Sequence, residues 1–206
     1  MHRKIWSWGA LLGVVTLATS AMVVDSDTVD VRFAQGDDFD IMVAGSLEPG
    51  WTPHPASWGH GNPDAYDVVL GADPGSDARP GGPQVIGPGG QLTFRVAALN
   101  TSPGLPARVA LTVTDPDDRS GTTDPATGRP VELFGQLRFT IVEDGEVLVD
   151  DLDGPALAAA THEWTESWAP DEMHLLEVTV ALPADLDNQW QDATSAIQLR
   201  FEAQND

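Results

Sequence analysis

Leu137-Arg138-Phe139-Thr140-Ile141-Val142-Glu143-Asp144-Gly145-Glu146-Val147-Leu148-Val149 decides the fold of this chain. From Leu137 to Ile141 apolar and polar side chains alternate, the period of a half-buried strand and not of a helix. Glu143-Asp144-Gly145 interrupts the pattern as a hairpin turn does, and Glu146 to Val149 reads as the return strand.

The same period of two recurs on both sides of this hairpin. Leu92-Thr93-Phe94-Arg95-Val96 alternates cleanly, as does Val109-Ala110-Leu111-Thr112-Val113. Leu175 to Leu182 and Ala196 to Phe201 form two more long strands, and Asp38 to Val43 a short one. Only Pro155 to Ala160 reads as helical, with proline near a first helical position and alanines behind it. Many strands separated by Gly, Pro and Asp turns predict an all-β, jelly-roll-like sandwich with one short helix. Residues 45–90 stand apart. Their dense Gly and Pro predict a long insertion on the surface, interrupted by one strand over Tyr66 to Leu70, and not a second domain.

The amino-terminal stretch carries a different signal. His2, Arg3 and Lys4 lead into an apolar run from Ile5 to Val24, with small residues at Thr19-Ser20-Ala21. That order is the pattern of an export leader, here with the cut expected between Ala21 and Met22. An uncleaved anchor is the alternative, since the run is long enough to span a bilayer. Residues 22–206 then form a single β-sandwich domain of about 185 residues, enough for one sizeable core. Val29-Asp30-Val31-Arg32-Phe33 follows almost at once as a strand, with Val29, Val31 and Phe33 on one face.

Charge excludes several functions. The chain has 10 basic and 32 acidic residues, a formal net charge of −22. Without the leader, 8 basic residues face 32 acidic ones, a net of −24. Nucleic acids and anionic membranes reward Lys/Arg patches, so neither is an expected partner of the mature domain. Lys4 is the one lysine, which rules out lysine isopeptide links after cleavage. With no cysteine there are no disulfides either, although an exported protein could carry them.

Near its end the chain resembles a known family. Trp168-Ala169-Pro170-Asp171-Glu172 precedes a strand ending in Leu182-Pro183-Ala184-Asp185. Leu186-Asp187-Asn188-Gln189-Trp190-Gln191 follows, and a last strand closes with Phe201-Glu202-Ala203-Gln204. This is similar to the "LPxxxDNxxQ … FxAxQ" ending of the TasA/camelysin family of exported surface proteins. Pro88-Gly89-Gly90, Asn100-Thr101 and Phe33-Ala34-Gln35-Gly36 resemble further family segments. The resemblance implies a jelly-roll sandwich, a dedicated signal peptidase as partner during export, and a place outside a bacterium, on its surface or in its biofilm matrix. It also implies self-association, or association with another matrix protein, through a donated amino-terminal strand. Val29, Val31 and Phe33 are the candidate donor residues, and they suit the first strand of the protein's own sheet equally well. Residues 45–90 depart from a minimal family member as an insertion.

Chemistry is sparse. Camelysins are described as metallopeptidases, but a helical His-Glu-x-x-His, which sets two imidazoles on one face, is missing. The nearest stretch, His162-Glu163-Trp164-Thr165-Glu166, lacks the second histidine, and His174 falls at a strand start. No catalytic or metal-binding residue is therefore assigned. Asp115, Asp117, Asp118 and Asp124 offer oxygens of the kind calcium takes, but not at EF-hand spacing. A solvated turn is the preferred reading, and no cofactor is expected beyond that calcium alternative. Trp51, His54, Trp58, His60 and Tyr66 in the insertion form a candidate binding loop for sugars or a partner, unless the aromatics fold back onto the domain. Trp164 and Trp168 are expected to pack beside the short helix. The leading reading is a secreted, non-enzymatic structural protein. A surface-binding adhesin is the alternative, and a secreted metallopeptidase ranks behind both.

Overall fold

Leu137 to Val149 folds into the expected hairpin, at the edge of one of two packed sheets. The computed structural model describes residues 13–21, 40–60, 84–117, 119–190 and 193–205. Its strands in chain order are β1 (Gly13–Ala21), β2 (Ile41–Ser46), β3 (Gly59–His60), β4 (Gln84–Ile86), β5 (Gln91–Asn100), β6 (Ala107–Thr114), β7 (Arg138–Glu143), β8 (Glu146–Asp153), β9 (His162–Glu163), β10 (Met173–Ala181) and β11 (Thr194–Asn205). One helix, α1 (Gly154–Ala158), follows β8.

The first sheet runs β4-β1-β11-β6-β9 and the second β3-β2-β5-β10-β7-β8. From β4 onward the chain passes repeatedly from one sheet to the other, so the sandwich is of the jelly-roll-like kind expected. Neighbours are antiparallel except for β1, which runs parallel to β11.

Alternation explains which faces meet. Phe94 and Val96 of β5, Phe139 and Ile141 of β7, and Leu176, Val178 and Val180 of β10 are buried. They share one core with Val109, Leu111 and Val113 of β6 and with Ile197, Leu199 and Phe201 of β11. Each such side chain contributes about 1.5–3 kcal/mol when fully buried, which is how a chain without disulfides holds together.

The turn chemistry is equally local. Asp144 and Gly145 take φ of 47° and 86°, the paired positive values of a two-residue hairpin loop between Glu143 and Glu146. Asp153 caps α1 by accepting a hydrogen bond from Ala156 N–H at 2.8 Å, and Pro155 lies in its first turn. Below α1, Leu157 seals the end of the core.

Several boundaries differ from expectation. β2 begins at Ile41 and keeps Gly45 and Ser46, because pairing with β5 continues to Arg95. The insertion therefore starts after Ser46, and its residues 84–86 return to the first sheet as β4. Helix α1 stops at Ala158, short of Ala160. The strand expected over Tyr66 to Leu70 lies outside the described residues. Gly13–Ala21, within the apolar run of the expected leader, forms a strand. No helix among the described residues is long and apolar enough to cross a membrane.

Candidate functional site

The edge of β11 is the site with most consequence. Along it, Val14 pairs with Thr194 and the register continues unbroken to Ala21 with Phe201. On the other side of β1, Gly13, Val14 and Val15 pair with Ile86, Val85 and Gln84. Ala21, the last paired residue, is also the residue before the expected cut.

The start of β11 is fastened from its opposite side. Thr194 N–H donates to Val131 O at 3.0 Å, and Leu133 N–H donates to Thr194 O at 3.1 Å. Between them the buried Glu132 accepts from the N–H groups of Leu133 and Phe134 at 2.9 and 3.0 Å. Its other oxygen lies 3.3 Å from Arg119 Nη2, which also donates to Thr194 Oγ1 at 2.8 Å. Further along, β6 pairs with β11 from Gln198 to Asn205. Among the described residues, Thr194–Phe201 is thus fastened on one side and covered by β1 alone on the other.

The outer edges among the described residues are guarded in the ways that discourage strand addition. β3 and β9 have two residues each and β4 has three. β8 is longer, but it carries Glu146, Asp150, Asp151 and Asp153. Its register with β7 is broken by irregularities, and Asp151 has a φ of 46°. Thr194–Phe201 carries one charged residue, Arg200.

A second cluster gathers the histidines. His174 of β10 stacks on Trp168 and meets Trp164 edge-on at 5.6 Å. His162 of β9 packs edge-on against Trp164 at 4.8 Å. Glu143 accepts from His174 Nδ1 and, at 2.9 Å, from Trp164 Nε1. Glu172 Oε1 lies 3.3 Å from His174 Nε2. Burial alone pushes the Glu143 carboxyl up. The hydrogen bonds from His174 and Trp164, with the charges of His174 and His162, overcome that and hold it below its ordinary value. Both tryptophans also contact Phe201, so they find their partners on β10 and β11. Sequence spacing could not reveal this set, because Glu143 and His174 stand 31 residues apart.

The remaining candidates are scattered. Trp51 and Trp58 are half-buried, while His54 and His60 are exposed. His54 caps a short helical turn, Pro55–Ser57, accepting from Ala56 N–H at 3.2 Å. His60 pairs with Asp40 at 2.9 Å. The two histidines thus serve different neighbours. Asp115 accepts from Asp117 N–H, and Asp124 from Ala126 and Thr127 N–H, so both close tight turns. No group of three or more His, Cys, Asp or Glu side chains among the described residues is placed to hold a metal. Met22, Val29, Val31, Phe33, Tyr66 and Asp118 lie outside the described residues.

Fold and edge together define an all-β sandwich whose first sheet includes the amino-terminal strand Gly13–Ala21. No protein-family profile matches the chain, and a search of curated proteins returns no match.

Proposed function

We propose that this chain is a secreted, non-enzymatic structural protein of a bacterial surface or biofilm matrix, self-associating along the edge of β11. One observation carries the reading: the strand that covers this edge is the segment read as export leader, and its pairing ends where the cut is expected. Cleavage would leave eight residues, Thr194–Phe201, with no partner on that side. Such an edge takes a strand from another chain by β-augmentation, in which backbone hydrogen bonds supply affinity and alternate side chains supply fit. The alternating Val29, Val31 and Phe33 of a neighbouring copy have the pattern to fill it. The guarded outer edges add support, since they direct association to one place. So do the lack of cysteine and of any lysine beyond Lys4, which leave non-covalent pairing as the route, and the resemblance of the chain's ending to the TasA/camelysin pattern.

Electron microscopy and light scattering of residues 22–206, over a range of salt and calcium, test this. Fibres or large oligomers are expected, and deletion of residues 22–36 is expected to abolish them. A protein that stays monomeric throughout, and whose deletion leaves cell aggregation unchanged, overturns the proposal.

A further inference from the structure

The leader does more in this fold than address the chain for export. We infer that Gly13–Ala21 is an intramolecular plug: while attached, it occupies the β11 edge in cis and keeps the precursor monomeric, and its cleavage licenses assembly. The inference rests on the assembly reading above and adds its regulation.

Three features carry it. First, the segment suits a strand as well as a leader. It has no charged residue, and Val14, Val15, Thr16 and Thr19 are β-branched, a residue type that fits a pleated sheet. Second, the direction is right. β1 runs parallel to β11, so its carboxyl end meets Phe201 and the tether leaves at the end of the ladder. A cut after Ala21 severs the tether without removing a paired residue from either strand. Third, the tether sets the competition. Residues 22–39 join β1 covalently to Asp40, just before β2. A tethered strand has an effective concentration in the millimolar range, against micromolar for a neighbouring molecule. The cis strand therefore outcompetes an equally strong trans strand by about a thousandfold. Once cut, the strand belongs to a separate peptide, residues 1–21, that dilutes away, and the advantage passes to donors from other copies.

The absence of cysteine makes a clean test. Ala18 and Gln198 are register partners, and paired strands bring Cα atoms within disulfide reach. The full chain carrying Ala18→Cys and Gln198→Cys, with a specific protease site inserted after Ala21, is assayed by light scattering in four states. These are uncut and cut, each oxidised and reduced. Expected are a disulfide on oxidation, monomer in both uncut states, assembly after cutting under reduction, and assembly at least about tenfold slower after cutting with the plug locked in, given the scale of the tethered advantage. Failure of the disulfide to form overturns the inference. So does assembly of the uncut chain as fast as the cut one, or of the locked cut chain as fast as the reduced one, and these last two outcomes leave the assembly reading intact. If the cut, reduced chain stays monomeric, the assembly reading fails and takes the plug with it. A second variant guards against misfolding: uncut Leu17→Pro changes only the plug, and it is expected to assemble where the uncut parent does not.

Discussion

The imidazole of His174 lies flat on the indole of Trp168, with ring centroids 3.9 Å apart and planes 10° from parallel. Trp168 is in turn bonded both ways to Ala107 of β6, its N–H donating at 2.7 Å and its carbonyl accepting at 2.9 Å. The stack therefore joins a strand of the second sheet to one of the first. Trp168 is 1% exposed, so Trp168→Ala removes a large core side chain and leaves a cavity. A loss of about 3–5 kcal/mol is expected from urea unfolding, with Trp168→Phe costing less.

Glu143 links this stack to acid stability. Its folded-state carboxyl lies below the ordinary value of 4.5, so its stabilising contribution is present above that pH and fades as pH falls through the lower folded value. Glu143→Gln is expected to lose about 1–3 kcal/mol at neutral pH, through weakened hydrogen bonds to His174 and Trp164. The gap between variant and parent should narrow below pH 4.5. Unfolding curves across that range check this, and a gap of constant size counts against it.

Asn100 is fully buried at the end of β5. Its amide donates to the carbonyls of Leu105, Trp168 and Ala169 at 3.0, 3.1 and 3.3 Å, and its carbonyl oxygen accepts from Ser102 N–H at 3.0 Å. Asn100→Ala removes the side-chain donor to the Leu105 carbonyl and the acceptor of Ser102 N–H, while the Trp168 and Ala169 carbonyls keep the N–H groups of Ala107 and Glu172. The expected cost is about 3 kcal/mol, with faster amide exchange at Ser102, and Asn100→Asp should fail to rescue because it loses the donors.

Gly154 opens α1 against Phe134. A Cβ there would meet the Phe134 carbonyl oxygen and come within 2.7 Å of its ring Cδ1. Gly154→Ala must displace Phe134, which is itself buried. The expected loss is about 1–3 kcal/mol, read by thermal unfolding.

Assembly of residues 22–206 should depend on salt in a predictable direction. Copies carrying −24 repel each other, and raising salt from roughly 0.01 to 0.15 M shortens the screening length from about 30 to about 8 Å. Faster assembly at the higher salt is expected in light scattering. A rate that falls with salt would mean that attraction between opposite charges drives association.

Some of this fold is legible residue by residue. The Asp144-Gly145 turn and the alternating strands around it follow from local preferences, and so do the two-residue spacings that bury Phe139 and Ile141. The segments Asn100-Thr101 and Pro88-Gly89-Gly90 also have visible duties. Asn100 and Thr101 fasten the end of β5, Thr101 donating to the carbonyl of Asp40. Gly89 turns with φ of 76° while Leu182 bonds back to Gly90. Strands β3 and β9 escape any periodicity reading, because two residues have no period. The cluster of Glu143, Trp168 and His174 escapes it too, because its members come from two strands and the segment between β9 and β10.

By itself the sequence determined the strand period, the turns, the acidic charge, the lack of disulfides, and an apolar run at the amino terminus. These depend on a residue and its near neighbours in the chain. The tertiary structure alone decided which strands share a sheet, which edges are guarded, and that Gly13–Ala21 lies along Thr194–Phe201. Pairing across some 180 residues depends on which faces bury one another and which backbone edges remain open. The apolar run that the sequence alone leaves without a partner therefore becomes a strand only through its place beside β11.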